Sequence, residues 1–140
     1  MKKRTSTAMQ VVDFRIEDVW SVITNNKDWK WRTDLENLKI INSKEFIEYG
    51  KGGFEVRFRI TKKEKYKVYA FDMDSEAFFG KWTGKFKKLS NEKTKITFTE
   101  SIIYKKLLYK IFASLFVNLR KIQDTYMRDL KKKLKEKDKR

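Results

Sequence analysis

The 140-residue chain contains no cysteine, no histidine and no proline. Without cysteine it has no disulfide framework, no thiolate nucleophile and no Cys-based metal site. Without histidine as well, Ser/His and Cys/His triads and most transition-metal sites fall away, leaving Asp, Glu, Lys, Tyr and Arg as the acid/base groups. The missing proline leaves long elements uninterrupted and removes Pro-rich recognition. No apolar run approaches the length of a membrane span, and the basic stretch from Met1 to Gln10 is not followed by the apolar segment of a signal peptide. A cytoplasmic location is therefore expected. Asp72, Asp74 and Glu76 lie close together but lack the spacing and glycine of a calcium loop, so neither a metal nor a cofactor is expected.

What is present is bulk and positive charge. Hydrophobic residues make up 40% of the chain, with eleven Phe, six Tyr and four Trp, enough to build one aromatic-rich core despite 39% charged residues. The length fits a single domain over residues 1–140, with no linker, repeat or low-complexity segment beyond the Lys-rich tail. The net charge of +16 raises nucleic-acid or anionic-membrane binding. The lysines, however, are scattered through every segment and often alternate with apolar residues, as Lys81, Lys85 and Lys87 do. That pattern fits a solvated strand face, so no specific nucleic-acid partner is expected and only weak binding to anionic surfaces.

Periodicity divides the chain. Thr5 to Val12 reads as a first strand. Ile16, Val19, Trp20 and Ile23 fall at helical spacing behind a potential Asp13 cap, and Trp29 to Asp34 reads as a second short helix or turn. Short strands follow at Leu38–Ile41 and Phe46–Tyr49, then a turn at Gly50–Gly53. Phe54 to Ile60 alternates strictly between apolar and charged residues, so one face is buried and the other wet. In Lys65–Met73, Tyr66, Val68 and Ala70 compete with Tyr69, Phe71 and Met73 for the inner face. Ala77–Leu89 sets Phe78, Gly80, Trp82, Gly84 and Phe86 on one side, the glycines making room beside the large rings. Thr94–Tyr104 forms a last strand, and short polar turns throughout imply an antiparallel meander. From Leu108 to Leu130 an i, i+3, i+4, i+7 stripe predicts one helix from about Lys106 to about Lys135, roughly 45 Å long at ~1.5 Å per residue. Its middle is apolar nearly all round, which suits burial inside a concave sheet, and Lys131 to Arg140 is expected to fray.

This order, together with specific residues, resembles the START-like (SRPBCC, helix-grip) superfamily over the whole chain, and especially its bacterial polyketide cyclase/dehydrase-like branch. The resemblance is carried by Val19-Trp20, by Trp29, Trp31, Asp34 and Leu35, and by Tyr126 and Leu130. Its most specific pieces are Gly80-Lys81-Trp82-Thr83 and Thr94-Lys95-Ile96-Thr97-Phe98-Thr99-Glu100. Arg15 stands where the branch usually has a proline, and Lys105-Lys106 where it often has Asn-Pro. The resemblance implies an α+β helix-grip fold, with a curved six- to seven-stranded antiparallel sheet around a long C-terminal helix and two short helices after strand 1. It implies little about activity, because fold does not deliver function.

Glu100 is the most informative residue, since alternation sets it on the face of Phe98 and Ile102. Two readings stand: a structural carboxylate bonded to the backbone or to a nearby Tyr or Trp, or a ligand-facing group whose pKa burial raises. Trp29 and Trp31 are expected to frame a cavity mouth, and Phe54, Val56, Phe58, Trp82, Phe98, Phe112 and Phe116 to line its wall or simply form core. Three functions follow. The first is binding of a hydrophobic small molecule (lipid, isoprenoid or polyketide-like) between sheet and helix. The second is a cyclase or dehydratase using Glu100 with Tyr66, Tyr69 or Tyr104 as acid/base groups. The third is a protein- or membrane-interaction module using the basic surface.

Overall fold

The computed structural model describes residues 3–105 and 119–138. Seven strands form one antiparallel sheet: β1 (Lys3–Val12), β2 (Leu35–Ile40), β3 (Glu45–Gly50), β4 (Glu55–Glu64), β5 (Val68–Asp74), β6 (Phe78–Ser90) and β7 (Lys93–Tyr104). Their order is β1-β7-β6-β5-β4-β3-β2, so strands two to seven are the expected meander and only β1 returns across to close against β7. The helix α1 (Ile16–Thr24) follows β1, and α2 (Leu119–Asp138) follows the sheet in the chain. This curved sheet with a C-terminal helix is the helix-grip arrangement.

Of the two short helices expected after the first strand, one forms. In α1 the predicted Ile16, Val19, Trp20 and Ile23 are all buried. Asp13 does not cap it: the cap residue is Arg15, whose carbonyl accepts from the amides of Asp18 and Val19, while Glu17 and Asp18 supply negative charge in the first turn. The segment around Trp29–Asp34 is a pair of turns, tied by Arg32 N to the Trp29 carbonyl at 3.0 Å and by Trp31 Nε1 to the Asp28 carbonyl at 3.0 Å.

Register decides what faces inward. Phe58 pairs with Met73, Met73 with Gly80 and Gly80 with Ile102 in one row, and Phe71 with Trp82, Trp82 with Glu100 and Glu100 with Ser6 in the next, so two adjacent rows cross the concave face. The ambiguity in β5 resolves in favour of Tyr69, Phe71 and Met73. Tyr66 still reaches the core because its φ of 66° lies in the left-handed region and turns its ring onto Trp20, with centroids 6.2 Å apart. Two stacked pairs, Phe46 on Phe58 and Phe71 on Trp82, each at 4.8 Å, anchor the centre. Gly84 is required there: a Cβ would stand 2.6 Å from Cη2 of Trp82.

In α2 the buried positions are Leu119, Gln123, Met127, Leu130 and Leu134, with Asp129 beside them. The expected stripe is thus rotated. Ile122 and Tyr126 border the hollow under the helix, and polar Gln123 takes a core position because the backbone needs it: its Nε2 donates to the carbonyls of Ser6 at 3.0 Å and Phe98 at 3.3 Å, and its Oε1 accepts from Ser6 Oγ at 2.8 Å. The tail does not fray at Lys131; helix continues to Asp138, with Lys133 on Asp28 at 3.1 Å and Lys137 on Asp18 at 3.6 Å. The first part of the predicted long helix, residues 106–118 with Phe112 and Phe116, lies outside the described residues.

Candidate functional site

A hollow lies between the concave face and α2. Its larger part, ≈ 640 Å³, has an apolar wall of Phe54, Val56, Phe58, Phe78 and Ile102 from β6, β7 and the β3–β4 hairpin. A smaller inner part of ≈ 80 Å³ is bounded by Phe71, Trp82, Phe98, Tyr69 and Tyr126. Arg32, Asp34, Glu48, Phe58, Met73 and Glu100 border both, so the two share one polar end.

That polar end is built around Arg32. Its Nε and Nη2 donate to Asp34 at 3.1 and 2.8 Å, a bidentate pair, while Nη1 and Nη2 donate to Glu48 at 2.9 and 3.3 Å. The guanidinium also lies over the Tyr126 ring at 5.0 Å. Burial alone would lower the Arg32 pKa, but the charges of Glu48 and Asp34 outweigh it and hold the cation firmly protonated. Burial raises the Glu48 carboxyl, with Arg32 opposing.

Glu100 stands differently. Among the described residues it makes no hydrogen bond and no ion pair, although it borders both parts of the hollow. Burial pushes its carboxyl up to about 7, Glu48 adds to the rise, Arg32 opposes it and Asp34 adds further. Tyr69 is enclosed, and its hydroxyl has no hydrogen-bond partner among the described residues. Burial pushes that phenol up to about 12, and the Asn26 amide opposes the rise without meeting hydrogen-bond geometry.

Of the residues singled out in the sequence, Phe54, Val56, Phe58, Trp82, Phe98 and Glu100 border the hollow. Trp29 and Trp31 do not: both are partly buried against the core, Trp31 edge-on to Tyr126 at 5.4 Å. Tyr66 lies at the Trp20 end, and Tyr104 is fully buried under Arg4, leaving Tyr69 as the one of the three proposed tyrosines in the hollow. Phe112 and Phe116 lie outside the described residues. Sequence reasoning missed Glu48, Arg32, Asp34 and Tyr126 as members of one cluster. Glu48 carried a signal, since it shares a strand face with Phe46 as Glu100 does with Phe98. Arg32 carried none, because a turn has no period.

A loop-to-helix latch holds this end together. Asp129 of α2 accepts from both the amide and the hydroxyl of Thr33, each at 2.8 Å, immediately beside Arg32.

No family model and no curated protein sequence matches the chain. Solved structures do match in fold. A START superfamily protein from Mycobacterium smegmatis superposes with a TM-score of 0.77 at 9% identity, over 94% of this chain and 97% of that one. Norcoclaurine synthase from Thalictrum flavum, in complex with dopamine and hydroxybenzaldehyde, gives 0.70 at 14% identity, over 96% and 88%. The Zhui aromatase/cyclase from Streptomyces sp. R1128 gives 0.67 at 12% identity, over 74% and 70%. The fold is START-like, with a synthase and an aromatase/cyclase among its structural neighbours. Among the described residues no helix is long and apolar enough to cross a membrane.

Proposed function

We propose that this START-like chain binds a hydrophobic small molecule, of lipid, isoprenoid or polyketide-like character, in the hollow between sheet and α2. The observation that carries the reading is the combination of ≈ 640 Å³ of space, an apolar aromatic wall and a few convergent polar groups at one end. Pockets of this size and make-up are those in which apolar ligands lose most of their contact with water. Proteins of the same fold include a synthase seen with two aromatic small molecules and an aromatase/cyclase, which fits the reading.

The test is thermal unfolding against a panel of apolar compounds, beside mass spectrometry of small molecules retained through native purification. A ligand present at a hundred times its dissociation constant stabilises by about 2.7 kcal/mol. Val56→Trp, which puts an indole into the hollow, abolishes the shift. A panel without any stabilising member, or a shift unaffected by Val56→Trp, would sink the reading.

A second reading, cyclase- or dehydratase-type chemistry, is favoured by one observation. Glu100, raised to about 7, and the unpartnered Tyr69 hydroxyl border the same space, and a carboxyl poised near neutrality is suited to general acid/base work. Turnover of a polyketide-like substrate at an unchanged rate in Glu100→Gln refutes it.

A further inference from the structure

The polar end of the hollow is unevenly charged. Among the described residues three carboxylates, Asp34, Glu48 and Glu100, border the larger part against two cations, Arg32 and the exposed Lys121 of α2. With Glu100 ionised the lining therefore carries one negative charge in excess. Arg32 is largely taken up, because four N–H···O contacts already join it to Asp34 and Glu48, and a guanidinium has five N–H donors in all. A carboxylate guest would meet at most one remaining N–H, flanked by the Asp34 and Glu48 carboxylates that repel it.

Two groups at this end remain without partners among the described residues: the Glu100 carboxylate and the enclosed Tyr69 hydroxyl, which together border the inner part. An unpaired carboxylate in a half-buried position is costly to keep charged, and the cost is relieved by a cation that also donates hydrogen bonds. A hydroxyl with a free lone pair adds a second acceptor.

We propose that the hollow selects an amine carried on an apolar body. Its ammonium pairs with Glu100 and donates to the Tyr69 oxygen, and its hydrocarbon lies along Phe54, Val56, Phe58 and Ile102. The inference rests on the hollow being a ligand site and names the class of guest. It runs against the charge of the molecule as a whole, since a chain of net charge +16 draws anions, not cations, to its surface.

That opposition makes the test discriminating. n-Octylamine, n-octanol and octanoate share one apolar chain and differ only in the head; at pH 8 the amine is an ammonium, like the lysine side chain with its pKa of about 10.4. Calorimetric titration at pH 8 is expected to give the amine about tenfold tighter binding than the alcohol, the order of a charge-assisted hydrogen bond in a partly dry site, with octanoate weakest. Glu100→Gln brings the amine down to the level of the alcohol while the alcohol still binds, and Tyr69→Phe weakens the amine independently. Octanoate binding as tightly as the amine, or an amine affinity unchanged in both variants, overturns the proposal and leaves the hollow a ligand site if the alcohol binds. Binding by none of the three overturns both.

Discussion

Replacing Glu100 with Gln is expected to stabilise the ligand-free protein. The change keeps shape and volume and removes only the ability to ionise. In the folded state the carboxyl titrates at about 7, against an ordinary value of 4.5, the rise coming first from burial and then from Glu48. Between those two pH values the folded state holds a proton that the unfolded chain has lost, so stability falls as pH rises through the window. The gap, at about 1.4 kcal/mol per pH unit, amounts to on the order of 3 kcal/mol of destabilisation above pH 7, absent below pH 4.5. For a chain of this length that corresponds to roughly 10 °C in Tm. Urea denaturation from pH 4.5 to 8.5 should show the wild type losing stability while Glu100→Gln loses much less; a small slope of the same sign remains from Glu48, which burial also raises. A variant less stable than wild type at pH 8, or one with the same slope, would show that Glu100 has a favourable partner and refute the reasoning.

Three further outcomes follow from the geometry. Arg32→Met leaves Glu48 and Asp34 facing each other without their cation and should cost about 3 to 5 kcal/mol in chemical denaturation, because removing one partner strands buried charge. Asp129→Ala removes both hydrogen bonds to Thr33 and is expected to cost about 2 kcal/mol or more, with faster hydrogen exchange at the Thr33 amide as its signature. Gly84→Ala places a Cβ 2.6 Å from Cη2 of Trp82 and 3.3 Å from Cδ1 of Phe98, so the indole must move; about 1 to 3 kcal/mol of stability and a changed Trp fluorescence spectrum are expected.

Much of the sheet was legible because its strands repeat every two residues. Phe54 to Ile60, Phe78 to Phe86 and Ile96 to Tyr104 each declare one wet and one dry face, and the glycines at 80 and 84 announce the space their neighbours' rings need. The same rule set Glu100 inward. It left the inner face of Lys65–Met73 open, because the left-handed Tyr66 just before β5 brings one more ring inside than alternation allows. It was not applied to Phe46 and Glu48, which is why the second buried carboxylate escaped notice. Arg32, Asp34 and Thr33 sit in turns, where position is fixed by long-range partners such as Glu48 and Asp129 and no local pattern records it. The rotation of α2 had a related cause: Gln123 and Asp129 are polar, and what buries them is a set of backbone and hydroxyl groups more than 20 residues distant in sequence.

The Asp129–Thr33 latch has a mechanical corollary. Thr33 is bonded to the helix and its neighbour Arg32 to the sheet, so lifting the second half of α2 would strain the charged cluster through a single peptide link. Lys133 and Lys137 add two more ties on the same half, to Asp28 and Asp18. The second half of α2 is thus the hinge-side post of the hollow, pinned to the rest of the molecule at three separate places.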